Sequence, residues 1–140
     1  MTTQYWGNQP LENSLGLEWA TLLLEVPNPQ QHLAEGLDSS DLHHPYAASF
    51  LLVLGCPYWQ GNVIPQLEKA IEKVKVLIAT PEFLRNWPDR PLILTATLGL
   101  VGRLRWRLEE YERNGTFEAV GGPDEPSETF RRVLAARMRS

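Results

Sequence analysis

The sequence predicts an all-α chain, a compact bundle of about five to six helices with a C-terminal basic amphipathic helix after a Gly/Pro connector. Three observations carry that expectation. Apolar residues recur every three or four positions over long stretches, the spacing of a helix face. Proline and glycine fall at the edges of those stretches, beside residues suited to capping. A sheet-based reading would leave the first forty-odd residues as a helical appendage. At 140 residues the chain is one domain in size, and its 43% apolar and 21% charged content is that of a globular protein.

In chain order, residues 11–26 place Leu11, Leu15, Trp19, Leu22 and Val26 at helical spacing before "PNP" stops the run. A short helix follows from Pro29 to Glu35, capped by Asn28 and ended by Gly36. "DSSD" reads as a turn. "PYAASFLLVLGC" is a buried helix or a buried strand, which periodicity alone does not separate. "NVIPQLEKAIEKVKVLIAT" is the most regular helix, with Asn62 as N-cap and Pro65 in the first turn. Burying its stripe of Ile64, Leu67, Ile71, Val74 and Ile78 contributes about 8–15 kcal/mol before chain entropy, an upper bound. Thr80 is placed to cap a one-turn helix with Pro81 at its first position. One long helix then runs from Pro91 to Asn114 and ends at Asn114-Gly115. The resulting layout is a helical core over 1–115, a flexible connector over 116–126 and a docking helix over 127–140. The alternative is a small α/β domain with strands near 49–55, 74–80 and 92–97, where β-branched residues concentrate.

Charge is unevenly distributed. Residues 1–68 hold seven acids and neither Lys nor Arg, whereas residues 69–140 hold ten acids and all thirteen bases. The formal charges of −7 and +3 give the chain its −4. Such a layout suggests an acidic face and a mildly basic one. No apolar run reaches the roughly 20 residues a bilayer span needs, and no secretory pattern opens the chain. With its single Cys56, the chain is expected to be cytoplasmic and away from membranes.

The stretch "GRLRWRLEEYERN" packs three arginines and a tryptophan into five residues. On a helix, Leu98, Val101, Leu104, Leu108 and Tyr111 share one broad side, assigned to the core, and Arg103 and Arg107 lie together on the far side. Four arginines against three glutamates leave a local +1, weak for a duplex-DNA grip. Trp106 falls toward the polar side, where packing on a neighbouring helix, a protein interface and a stacked base all remain open. Gly99 and Gly102 permit close helix approach on that side.

Chemistry has few candidates. Cys56 lacks a nucleophile signature, and His32, Asp41, His43, His44 and Cys56 show no metal-ligand spacing. No phosphate-binding glycine loop, HExxH or GxSxG is present. Neither a cofactor nor a metal is expected. The leading expectation is a non-enzymatic helical subunit or adaptor whose acidic N-terminal and basic C-terminal regions contact a protein partner or another copy. Its interface residues would be Tyr58, Trp59, Trp106, Arg131, Arg132, Arg137 and Arg139. The alternative is a small subunit of a nucleoprotein complex, with Lys69, Lys73, Arg103 and Arg107 meeting nucleic-acid phosphates without reading sequence.

Overall fold

A computed structural model describes residues 3–118 together with Ala136 and Arg137. Six α-helices follow one another among these residues: α1 Ser14–Thr21, α2 Pro29–Leu37, α3 His43–Gly55, α4 Ile64–Ile78, α5 Pro81–Arg85 and α6 Arg90–Asn114. The all-α expectation holds. The segments considered as strands lie in α3, in α4 and the turn after it, and in α6. Among the described residues the only β pairing is one antiparallel bridge, Tyr5 with Asn13. β-branched composition loses here because a helix satisfies its own backbone, while a strand needs a neighbour to pair with.

Local chemistry sets most of the helix ends. Asn13 is buried and its side chain accepts from the Gly16 N–H at 2.7 Å, so α1 begins at Ser14 rather than at Leu11. The core side of this first segment is Gly16, Trp19, Ala20 and Leu23, and Leu22 turns outward. Asn28 caps α2 as expected, accepting from Gln31 N at 3.1 Å. Gly36 does not stop α2, which continues to Leu37. A Cβ at Gly36 would lie 2.2 Å from Cζ2 of Trp19, so this glycine is the seat of the indole. The cap position of α4 is Val63 rather than the expected Asn62, although Asn62 Oδ1 still accepts from the Ile64 N–H at 3.1 Å. Thr80 does not cap α5; its hydroxyl turns back and donates to Val76 O at 2.6 Å. Asp89 caps α6 through Leu92 N, and Gly115 closes it in the left-handed region at φ 69°.

α3 is the centre of the molecule. It touches α1, α2, α4 and α6, and all its residues but His44 are buried. That explains why its apolar residues show no clear stripe: a helix enclosed on every side needs none. α4 presents Leu67, Ala70, Ile71, Val74 and Leu77 inward and packs along α6.

α6 is rotated relative to the sequence expectation. Its buried side runs through Ile93, Ala96, Thr97, Leu100, Val101, Leu104, Arg107 and Glu110, so that of the residues assigned to the core Val101 and Leu104 are buried as expected. Leu98 is 59% exposed and Tyr111 41%, although both were assigned to the core. Two apolar stripes compete on this helix. The one that begins at Ile93 wins because it faces α3 and α4.

Candidate functional site

Arg107, expected on the outer face to meet phosphate, is instead fully buried. It lies on the winning stripe, one helical turn past Leu104. Its Nε donates to Val53 O at 2.9 Å, a carbonyl in the last turn of α3, where helix carbonyls lack intrahelical partners. Its Nη1 donates to Glu110 Oε1 and to Glu118 O, each at 2.8 Å. Glu110 in turn accepts from Glu118 N at 3.1 Å. The guanidinium is thus a clamp joining α3, α6 and the segment after α6. Phe117 packs against the core beside it. The start of the expected connector is therefore held in place, and residues 119–126 lie outside the described residues.

The other expected phosphate contacts are also engaged. Lys69 and Lys73 of α4 both bind Asp38 at the end of α2, Lys73 at 3.5 Å. The hydrogen bond from Lys69, aided by both ammonium charges, holds the Asp38 carboxyl below its ordinary pKa. An acid of the negative half thus meets bases of the positive half inside a single copy. Arg103 is half-buried, with its guanidinium carbon 5.8 Å from the centre of the Phe50 ring.

Of the expected interface residues, Tyr58 and Trp59 are half-buried and packed on the core. Their loop is tied to α2, because the Gln60 backbone accepts from and donates to the Gln30 side chain. Arg137 turns inward and donates to Leu23 O at 3.2 Å and to Val26 O, carbonyls just beyond α1. Arg131, Arg132 and Arg139 lie outside the described residues. Trp106 is 37% exposed, and its ring lies 5.0 Å from the guanidinium carbon of the buried Arg107, so the indole is partly packed within its own chain.

An acid–base chain joins Tyr5, His43 and Asp41, of which the sequence had offered His43 and Asp41 as metal-ligand candidates and had not singled out Tyr5. The Tyr5 hydroxyl lies 2.7 Å from His43 Nε2, and His43 Nδ1 lies 3.1 Å from Asp41 Oδ1. The consistent assignment has Tyr5 donating to Nε2 and Nδ1–H donating to the carboxylate. Partial burial opposes the Asp41 charge, yet bonds from the His43 backbone and ring, with the nearby His44, hold its pKa below the ordinary value. Both His43 nitrogens are occupied, and Tyr5, Phe83 and Trp87 ring it, so the chain fastens the N-terminal loop to α3. Burial pushes the Cys56 thiol up to about 12, which keeps it protonated and inert. No group of three metal-ligating side chains occurs among the described residues.

Exposed apolar side chains occur at Trp6, Leu17, Leu22 and Val76, and three more gather on the outer side of α6. Leu92 and Leu98 are more than half exposed, and Trp106 lies farther along the same side. Gly99 and Gly102 between them have nothing within 4 Å of where a Cβ would stand. Beside this face the N-terminal loop leaves a cavity of about 340 Å³, bordered by Asn8, Glu12, Leu92, Thr95, Gly99 and Arg103. A second cavity of about 430 Å³ lies near the Tyr111–Phe117 ring stack. The glycine pair and Trp106 were legible in the sequence. Leu92, Leu98 and Asn8 were missed, Leu98 because it was assigned to the core. No helix among the described residues is long and apolar enough to cross a membrane. Comparison with protein families, characterised proteins and solved structures finds no match to this chain.

Proposed function

We propose that the chain is a non-enzymatic helical subunit of a larger assembly, joined to its neighbours by protein–protein contacts along the outer face of α6. The observation that carries this reading is the exposure of Leu92, Leu98 and Trp106 on one side of a 25-residue helix. Single exposed apolar residues are ordinary, but a line of them around an open glycine pair is a surface suited to a second helix. The groups best suited to chemistry are already engaged: His43 by Tyr5 and Asp41, and Cys56 by burial. The contact proposed here is apolar at its centre, since Asp38, Lys69 and Lys73 already satisfy one another. The nucleic-acid alternative loses Arg107 to the core and keeps only the half-buried Arg103 among its α6 candidates.

A photo-crosslinking residue in place of Leu98, compared with one at the exposed Glu72 of α4, tests the reading in the native cell. Adducts should form from position 98 and not from position 72. No adduct from position 98 would remove the proposal.

A further inference from the structure

The cavity of about 340 Å³ between the N-terminal loop and α6 is bordered by two opposite charges that do not meet. Glu12 and Arg103 both line it, and no ion pair joins them among the described residues. Glu12 Oε1 accepts from Gln9 N at 3.0 Å, while Oε2 has no partner among the described residues. Arg103 rests over the Phe50 ring and makes no hydrogen bond with the described residues. We infer that this cavity binds a small zwitterion, an α-amino acid with a short aliphatic side chain, its ammonium on Glu12 and its carboxylate on Arg103. The site goes beyond the assembly reading and does not rest on it.

Both walls are fixed before a ligand arrives. The Trp6 N–H donates to Glu12 O at 3.1 Å, and the Glu12 N–H donates to Gln9 O at 3.0 Å. The Tyr46 hydroxyl of α3 donates to Asn8 O at 2.5 Å and ties the same loop to the core. Gly7 makes room for the carboxylate, since a Cβ there would stand 2.4 Å from Glu12 Cδ. On the other wall Leu92, Ala96, Gly99 and Arg103 follow one another at helical spacing, so one stripe of α6 faces the cavity. Gly99, one turn before Arg103, brings no side chain, and nothing lies within 4 Å of where its Cβ would be. Both charges also reach the Tyr46 hydroxyl. Burial is the main reason its pKa is raised, with Arg103 opposing and Glu12 adding to the effect. The two charges are therefore near one another and yet unpaired.

That arrangement selects among ligands by sign. A lone anion would answer Arg103 but meet Glu12, and a lone cation would do the reverse; like charges brought together are costly. A zwitterion answers both, and the planar guanidinium suits a carboxylate. Leu92 and Ala96 offer the apolar stretch an aliphatic side chain needs. At about 340 Å³ the space holds roughly ten waters at ~30 Å³ each, which fits a small metabolite and not a nucleotide.

The probe is L-leucine, titrated to about 20 mM into the isotope-labelled full chain near pH 7, well above the Kd suited to so few atoms. The amides of Gly7, Gly99 and Arg103 should shift along one saturating curve in NMR spectra. Leucinol, which lacks the carboxylate, and isocaproate, which lacks the ammonium, should each bind about tenfold more weakly or worse, the loss expected for one charged hydrogen bond. Arg103→Gln should weaken leucine but not leucinol, and Glu12→Gln should weaken leucine but not isocaproate. Gly7→Ala, which keeps both charges and pushes the Glu12 carboxylate aside, should weaken leucine as well. No saturable shift with leucine, or equal binding of either single-charge analogue, overturns the inference. Should a variant fail to fold, the three ligands on the unchanged chain decide by themselves.

Discussion

Replacing Arg107 by alanine removes three hydrogen bonds and leaves Glu110 as an unpaired carboxylate in the core. The expected loss is about 3–5 kcal/mol in denaturant unfolding, whereas Arg107→Met with Glu110→Leu should be far milder, because both charges leave together. Gly36→Ala tests a different effect. Helix propensity alone would favour alanine by about 1 kcal/mol, but a Cβ 2.2 Å from the Trp19 ring should cost about 1–3 kcal/mol net. His44 provides the pH response. Burial lowers its pKa, with Asp41 opposing and His43 and His32 adding to the effect. The Ser39 hydroxyl, 2.9 Å from Nδ1, also suits a neutral ring. Above an ordinary histidine pKa near 6.5 the ring is neutral in both states. As pH falls below it the unfolded chain binds the proton first, so stability declines until the folded value is passed. The urea midpoint should therefore drop between pH 7.5 and 5, and His44→Gln should flatten the drop. Gly36 was read as a helix stop, which it is not, and its role as an indole seat was not legible because only the fold brings Trp19 to it.

At the scale of the element, caps were legible and rotation was not. Asn28-Pro29 and Asn114-Gly115 each read correctly, since a cap is decided by a few adjacent residues, whereas the cap position of α4 falls on Val63, one residue past Asn62, and Thr80 makes no cap bond. Which side of α6 turns inward depends on α3 and α4, and the sequence offered two apolar stripes. The stripe through Leu98 and Tyr111 looked stronger because the other ends in Arg107 and Glu110. Those two residues, three apart and opposite in charge, were the available signal: side chains at that spacing can neutralise each other within a core. The outer side of α6 carries its own test. Gly99 sits in open space in a helix interior, so Gly99→Ala should stabilise the isolated chain by about 1 kcal/mol.

For the whole molecule, the helical class was evident from periodicity, while the expected charge polarity is partly consumed by folding. α2 and α4 come together so that Asp38 meets Lys69 and Lys73, a pairing between segments thirty-odd residues apart that no local pattern announces. The candidate surface was legible in its tryptophan and glycines and hidden in its leucines, for the reason that hid the rotation of α6. The enclosure of α3 has a consequence for how the molecule comes apart. A helix walled in by four others has few routes to partial opening, so the amides of Tyr46–Gly55 should exchange with deuterium only when the entire chain unfolds. Those of α5 and the α6 ends exchange through smaller fluctuations. During synthesis the largely apolar α3 segment is made before the α4 and α6 segments that will cover it.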